Sequence, residues 1–280
     1  MRNYKHIEVR PISGALGAEI AGVDMARDLD TEVVSEVRQA LLDHLVIFLR
    51  DQKATPLQQL AFAKKFGEPI EYPQLKGLAE SQFITPVVKL EHERNNFGGI
   101  WHSDTTYLPV PPMGSMLLAR EVPPYGGDTM FANQYLAYDA LSDGLKQTLD
   151  GLIGVSSSSK ADVTKTREDA LKQAGSGATP KNLEAEHPLV RTHPETGRRT
   201  LYVNGAFTQS IVGLEPEESD ALLARLYAQA MYPEVQCRFR WQPGDIAFWD
   251  NRSTQHYASS DYHPQRRVME RITIIGDRPY

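Results

Sequence analysis

The segment Trp101-His102-Ser103-Asp104 places an imidazole and a carboxylate two residues apart. Side chains alternate along an extended backbone, so His102 and Asp104 point to one face and can grip a cation between them. A neutral imidazole with a carboxylate suits a borderline divalent metal, and a third ligand from a distant strand would complete one face of an octahedron. His256, at the end of Trp249-Asp250-Asn251-Arg252-Ser253-Thr254-Gln255-His256, is the candidate. An isolated His-x-Asp is a weak signal, and the residues C-terminal to His256 strengthen it. Arg267 and Arg271 are four residues apart in a strand-like run, Arg266–Ile275, and therefore face the same side. Guanidiniums inside a β core are costly unless an anion meets them, and their planar fork matches a carboxylate or a sulfonate. On a surface sheet face the same pair would simply meet Asp or Glu. The remaining histidines, His6, His44, His92, His187, His193 and His263, have no partner at ligand spacing and read as surface or hydrogen-bonded groups.

Strands and hairpins must bring these residues together. His6–Ile12 alternates as a strand, Thr31 is placed to cap a helix running through Val33 to Leu42, and Leu45–Leu49 reads as a buried strand. Thr55-Pro56 opens a second helix that stops at Phe66-Gly67. From Tyr72 onward, short β-branched or aromatic runs alternate with Pro and Gly, among them Ile84–Leu90, Met113–Ala119 and Leu201–Val203. Turn chemistry predicts two hairpins, His187–His193 with Thr200–Asn204 and Gln236–Trp241 with Ile246–Asp250. Helical spacing returns only in Asn133–Leu149 and Glu217–Met231, too few helices for a parallel α/β fold. The expectation is a mainly β (α+β) chain, a sandwich or jelly roll with peripheral helices, in one domain spanning 1–280. Ser156–Glu186, rich in Ser, Lys, Gly and Ala, reads as a mobile insertion.

Composition removes several classes of function. With 30 Lys+Arg against 36 Asp+Glu, the net charge of −6 offers no footprint for nucleic acid. Cys237 stands alone, which rules out an internal disulfide and a thiolate-rich metal site and fits a reducing cytoplasm. The opening MRNYKHIEVRP lacks an apolar signal core, and the longest apolar stretch, Leu45–Leu49, is far short of the ~20 residues that cross a bilayer, so neither export nor membrane insertion is expected.

Four ordered motifs extend the metal argument. WHSD (Trp101–Asp104), YGGDTMFAN (Tyr125–Asn133), HPLVRTHPETGRRTLYVN (His187–Asn204) and WDNRSTQHYASSDYHPQRRVMERITIIGDRP (Trp249–Pro279) together resemble the taurine dioxygenase (TauD/TfdA) family, from about Val9 to the C-terminus. The resemblance implies a double-stranded β-helix (jelly roll) and a dioxygenase dependent on Fe(II), 2-oxoglutarate and O2. It further implies His102, Asp104 and His256 as iron ligands, Thr129 and Arg267 on the distal carboxylate of 2-oxoglutarate, and Arg271 at the anionic head of the substrate. Phe207 and Trp249 fall where the family places aromatic pocket residues. The family hydroxylates the substrate carbon that bears the leaving group, with succinate and CO2 as co-products, and forms dimers and tetramers.

A charge count agrees with these roles. A dication, Asp104 and Arg267 together balance a doubly negative 2-oxoglutarate, which leaves Arg271 as a surplus cation for a small, singly anionic substrate. An organosulfonate is the leading expectation; an alkyl sulfate ester or an aryloxy or amino carboxylate is the alternative. Taurine itself fits poorly, because Tyr72 stands where taurine-cleaving relatives carry a sulfonate-contacting histidine, and glycines, with Asn95–Asn96 nearby, stand where they carry an amide. Tyr107–Pro112 reads as the wall of a larger apolar pocket or as a rigid surface turn. Two other classes remain: a metal-binding jelly roll without oxygenase activity, which needs a broken triad, and an interaction protein with ordinary surface His and Arg.

Overall fold

The computed structural model describes residues 2–73, 75–94, 98–160 and 182–280. Its largest sheet runs β1 (Glu8–Pro11), β2 (Ala18–Ala21), β3 (Val46–Leu49), β14 (Ile246–Asp250), β6 (Gly114–Glu121), β16 (Arg267–Ile274) and β4 (Pro69–Ile70), with β5 (Ile84–Lys89) also paired to β16. A smaller sheet of β13 (Gln236–Phe239), β7 (Thr129–Asn133) and β15 (Thr254–Ala258) supplies the opposing layer. Alternation explains how one strand serves two cores. Ile47, Leu118, Phe248 and Ile272 turn outward onto helices α1 (Thr31–His44) and α2 (Pro56–Lys64), joining Val37, Leu41 and Phe62. Their neighbours Phe48, Leu117, Trp249 and Met269 turn inward and meet Phe131 and Phe239 from the smaller sheet. The expected jelly roll is therefore present as two facing sheets rather than a closed barrel.

Most elements follow their local signals. Thr55 accepts from Gln58 N–H and Gln58 reaches back to the Thr55 N–H, a capping box with Pro56 at the first helical position. Thr31 is instead the first residue of its helix; Asp30 occupies the cap, and Leu45 ends the helix at φ 66°. The single helix expected over Asn133–Leu149 is two, α3 (Gln134–Asp139), capped by Asn133, and α4 (Asp143–Leu149), capped by Ser142, because Ser142 restarts the hydrogen bonding that Leu141 closes. The helix near 217–231 is α5 (Pro216–Tyr227), tightening to a 3₁₀ turn at Ala228–Met231.

The first expected hairpin forms in its inner part, β10 (Val190–Thr192) against β11 (Arg199–Leu201). His187 belongs to a separate strand, β9 (Glu184–Pro188), which pairs with β8 (Ile153–Ser157); β12 (Thr208–Ile211) completes that three-stranded sheet. The second hairpin does not exist. β13 pairs with β7 and β14 with β3 and β6, so the Gln242–Asp245 turn carries the chain from one layer to the other. Turn residues report a reversal of direction but not which strand takes up the hydrogen bonds, and here burial of Phe239 and Trp241 between the layers decides it. The ends of the expected mobile insertion are ladder residues, Ser156 opposite Ala185 and Ser157 opposite Glu184; 161–181 lie outside the described residues.

Phe48 stacks on Phe239 with ring centroids 3.9 Å apart and is fully buried between the layers. Phe48→Ala is expected to lower unfolding free energy by about 3–5 kcal/mol, measured by urea denaturation; a loss below about 1 kcal/mol would show that this contact does not hold the layers together.

Candidate active site

The site forms where the two layers face each other. Trp101–Asp104 runs beside β15, and His102 and His256 exchange both backbone hydrogen bonds, at 3.1 and 2.8 Å. That bridge sets their imidazoles 4.1 Å apart, centroid to centroid. Asp104, two residues on, projects to the same place: its Oδ1 is 3.8 Å from His102 Nε2 and 3.9 Å from His256 Nε2. The three donor atoms lie within 4.8 Å of one another and all three residues are buried. The sequence pattern thus brings together the residues it singled out, although the backbone leaves the extended form right after Asp104, where Thr105 has φ 46°.

Electrostatics suit a metal. His102 Nδ1 lies 2.7 Å from the Ile100 carbonyl, and since a carbonyl only accepts, Nδ1 carries the proton and Nε2 presents its lone pair to the cluster. Burial pushes the pKa of His102 down, and burial with the neighbouring His102 pushes His256 down to about 3, so both rings are neutral at pH 7. Burial alone would raise the pKa of Asp104, but Arg271 and the two imidazoles, with the Ser115 hydroxyl, hold its carboxyl below the usual range. Arg271 Nη1 donates to Asp104 Oδ1 at 3.2 Å and Ser115 Oγ to Oδ2 at 2.9 Å. Two neutral imidazoles and one ionised carboxylate form a donor set that fits Fe(II).

Parity along β16 fixes the arginines. Arg267, Met269 and Arg271 share the inner face, so both guanidiniums enter the cavity that His102, His256 and Trp249 also line. They are 5% and 4% exposed, and in each the Nε and Nη2 atoms have no hydrogen-bond partner among the described residues. No carboxylate of the described residues lies at ion-pair distance from Arg267, whose pKa burial lowers. A buried, unpartnered Nε/Nη2 edge is a receptor for two oxygens of one anion. Thr129, at the start of β7 and opposite both Phe239 and Ala258, lines the same cavity, its hydroxyl accepting from Trp241 Nε1 at 2.9 Å.

The Arg271 guanidinium lies 3.8 Å over the ring of buried Tyr72. Trp249 lies 4.7 Å from the His256 ring and Phe207 6.1 Å, edge-on, from His102. Tyr107 is buried and packs edge-on against Phe207 at 5.0 Å. The stretch from Tyr107 therefore begins inside the protein and not in a surface turn; Val110 alone of its larger apolar residues is exposed. Asn95 and Asn96 lie outside the described residues. Sequence reasoning missed Ser115 and Asn251, which bind Asp104, and Trp241, which binds Thr129; a polar residue in an apolar strand was the available signal for Ser115. His193, read as hydrogen-bonded, meets Asp250 at 3.0 Å, and His187 meets the Thr106 carbonyl at 2.7 Å.

Residues 8–273 match the family model described as taurine catabolism dioxygenase TauD, TfdA family. An alkylsulfatase of Acinetobacter baylyi is 35% identical over 280 residues, covering 98% of this chain and 86% of the relative. An alpha-ketoglutarate-dependent sulfate ester dioxygenase of Pseudomonas putida is 36% identical, covering 98% and 91%. The crystal structure of a putative alpha-ketoglutarate-dependent taurine dioxygenase from Burkholderia xenovorans superposes with a TM-score of 0.84 at 39% identity, covering 98% and 94%. The chain belongs to the TauD/TfdA family and is an Fe(II)- and 2-oxoglutarate-dependent dioxygenase, an oxidoreductase whose relatives are named for sulfonates, sulfate esters or aryloxy acids. No helix of the described residues is long and apolar enough to cross a membrane.

The depressed histidine pKa values set a pH dependence. An unfolded chain protonates these imidazoles below about pH 6.5, whereas folded His256 resists to about 3. Their contribution to stability is complete above about pH 6.5 and is lost as pH falls through that window. The metal-free protein is expected to lose roughly 2 kcal/mol from His256 alone between pH 7 and pH 5, and His256→Ala to flatten the slope. Thermal unfolding across this range tests it; equal slopes in both proteins would contradict it.

Proposed function

We propose that His102, Asp104 and His256 hold Fe(II), that Thr129 and Arg267 receive the distal carboxylate of 2-oxoglutarate, and that Arg271 receives the head of a small organic sulfur oxyanion. Tyr72, Phe207 and Trp249 wall the site. The observation that carries this reading is the pair of buried guanidiniums on one strand face, each with an Nε/Nη2 edge that has no partner among the described residues, beside a cluster of two neutral imidazoles and one carboxylate. Among the described residues Arg267 has no carboxylate at ion-pair distance and Arg271 has only Asp104, so each keeps a free edge that an anion can meet. The metal and 2-oxoglutarate, when bound with O2, supply the oxidising chemistry: one oxygen atom leaves in succinate, with loss of CO2, and the other enters a substrate C–H bond.

This chain's residues position and exclude. Arg267 holds the co-substrate, and Arg271, four residues further along β16, holds the anionic substrate. Arg271, tied to Asp104 through Nη1 and stacked on Tyr72, offers its other edge to the oxyanion and so aims the adjacent carbon at the metal ligands. The hydroxyls of Tyr72 and Tyr107 add hydrogen-bond donors near the substrate end of the site. Val87, Leu117 and Trp249 keep water from the rest of the cavity. Hydroxylation of the carbon bearing a sulfonate collapses to an aldehyde and sulfite; from a sulfate monoester, the products are an aldehyde and sulfate. The names of the two curated relatives bring the sulfate monoester level with the organosulfonate.

The test is a panel of alkyl sulfonates, alkyl sulfates and aryloxy carboxylates, followed by succinate together with sulfite, sulfate or phenol. Sulfite or sulfate release in a one-to-one ratio with succinate is expected, and phenol release alone would move the protein to the aryloxy acids. Arg271→Ala is expected to raise the substrate KM roughly 30-fold or more with little change in that for 2-oxoglutarate, and Arg267→Ala to do the reverse. A shared loss of both in each variant would overturn the division of roles.

A further inference from the structure

Asp104 sits where no sheet holds it. His102 is clamped by its double bridge to His256, but three residues later the chain turns away through the left-handed Thr105, and among the described residues the backbone N–H and C=O of Asp104 have no strand partner. Both are met by one side chain. Asn251 Oδ1 accepts from Asp104 N–H at 2.6 Å, and Asn251 Nδ2 donates to the Asp104 carbonyl at 3.0 Å. The amide thus acts as an extra peptide group, giving Asp104 the pair of hydrogen bonds that a neighbouring strand gives His102. Nδ2 also donates to the Pro112 carbonyl at 3.2 Å, and Asn251 N–H to the Met113 carbonyl at 2.9 Å, which ties the clamp to the entry of β6, where Ser115 holds Oδ2 of the same carboxylate.

The clamp is itself braced. Asn251 is fully buried in the turn between β14 and β15, immediately before the strand that carries His256. Its neighbours Asp250 and Arg252 form a two-point ion pair, with 2.9 and 2.6 Å contacts, to which His193 and Glu195 add bonds of 3.0 and 2.8 Å. One rigid turn therefore sets the positions of two of the three candidate ligands.

We propose that Asn251 is a positioning residue that holds Asp104 in metal-binding geometry, acting through its amide on the Asp104 backbone. The inference rests on the reading of Asp104 as a ligand. An amide alone has the acceptor and the donor in the required places: a carboxylate lacks the donor, and alanine leaves two buried backbone groups unpaired.

Mn(II) binding to the metal-free protein, followed by the loss of the free-ion EPR signal, needs no turnover. Asn251→Ala and Asn251→Asp are expected to weaken Mn(II) about 10- to 100-fold, while Leu41→Ala, a core change on α1 remote from the site, lowers stability with unchanged affinity. Hydrogen exchange of the Asp104 amide in the unaltered protein depends on no variant folding and is expected to be as slow as that of His256. Native Mn(II) affinity in a folded Asn251 variant, or fast exchange at Asp104, overturns the proposal. Asp104→Ala separates the two readings: retained affinity there overturns the metal site and this inference together, whereas loss in Asp104→Ala with none in Asn251→Asp overturns this inference alone.

Discussion

A fully buried carboxylate must be compensated, and the centre of this protein is organised around Asp104. Its charge is met by one guanidinium contact and one hydroxyl, with the two nearest imidazoles kept uncharged by burial. Each partner comes from a different segment: Arg271 from β16, Ser115 from β6, His256 from β15, and His102 from the run that carries Asp104 itself. Satisfying one carboxylate therefore requires the two layers to be stacked in a single register. A one-residue slip of β16 would turn Arg267 and Arg271 outward and bring Val268 and Ile272 into the cavity.

The same parity separates stability from chemistry. On β3, β6, β14 and β16 the outward set is packed by helices into an apolar core, while the inward set mixes apolar and aromatic residues with the polar groups of the site. The apolar outer core offsets the cost of a polar inner face, where the Nε and Nη2 atoms of both arginines have no hydrogen-bond partner among the described residues.

Much of this was legible in residue order. His102 and Asp104 share a face because of period-two alternation, Arg267 and Arg271 for the same reason, and Thr55 caps its helix as its type demands. The Gln236–Asp250 reading failed because the turn at Gln242–Asp245 looks the same whether the flanking strands pair with each other or with strands elsewhere in the chain. Asn251 went unseen for a related reason. Asn251 acts on a backbone 147 residues away, and nothing in its own neighbourhood marks that. Tyr107 groups in sequence with the prolines after it, although its ring belongs with Phe207 in the interior.

The sequence by itself determined the ligand types, the facing of each short segment and, through four ordered motifs, the family and its cofactors. Those depend on local covalent geometry and on side-chain chemistry, which need no distant partners. Tertiary structure alone decided which strands became neighbours, which oxygen of Asp104 faces the imidazoles, and that the Nε and Nη2 atoms of both arginines have no partner among the described residues. These are outcomes of long-range packing, in which burial forces every polar group to find a partner and reveals the few that have none.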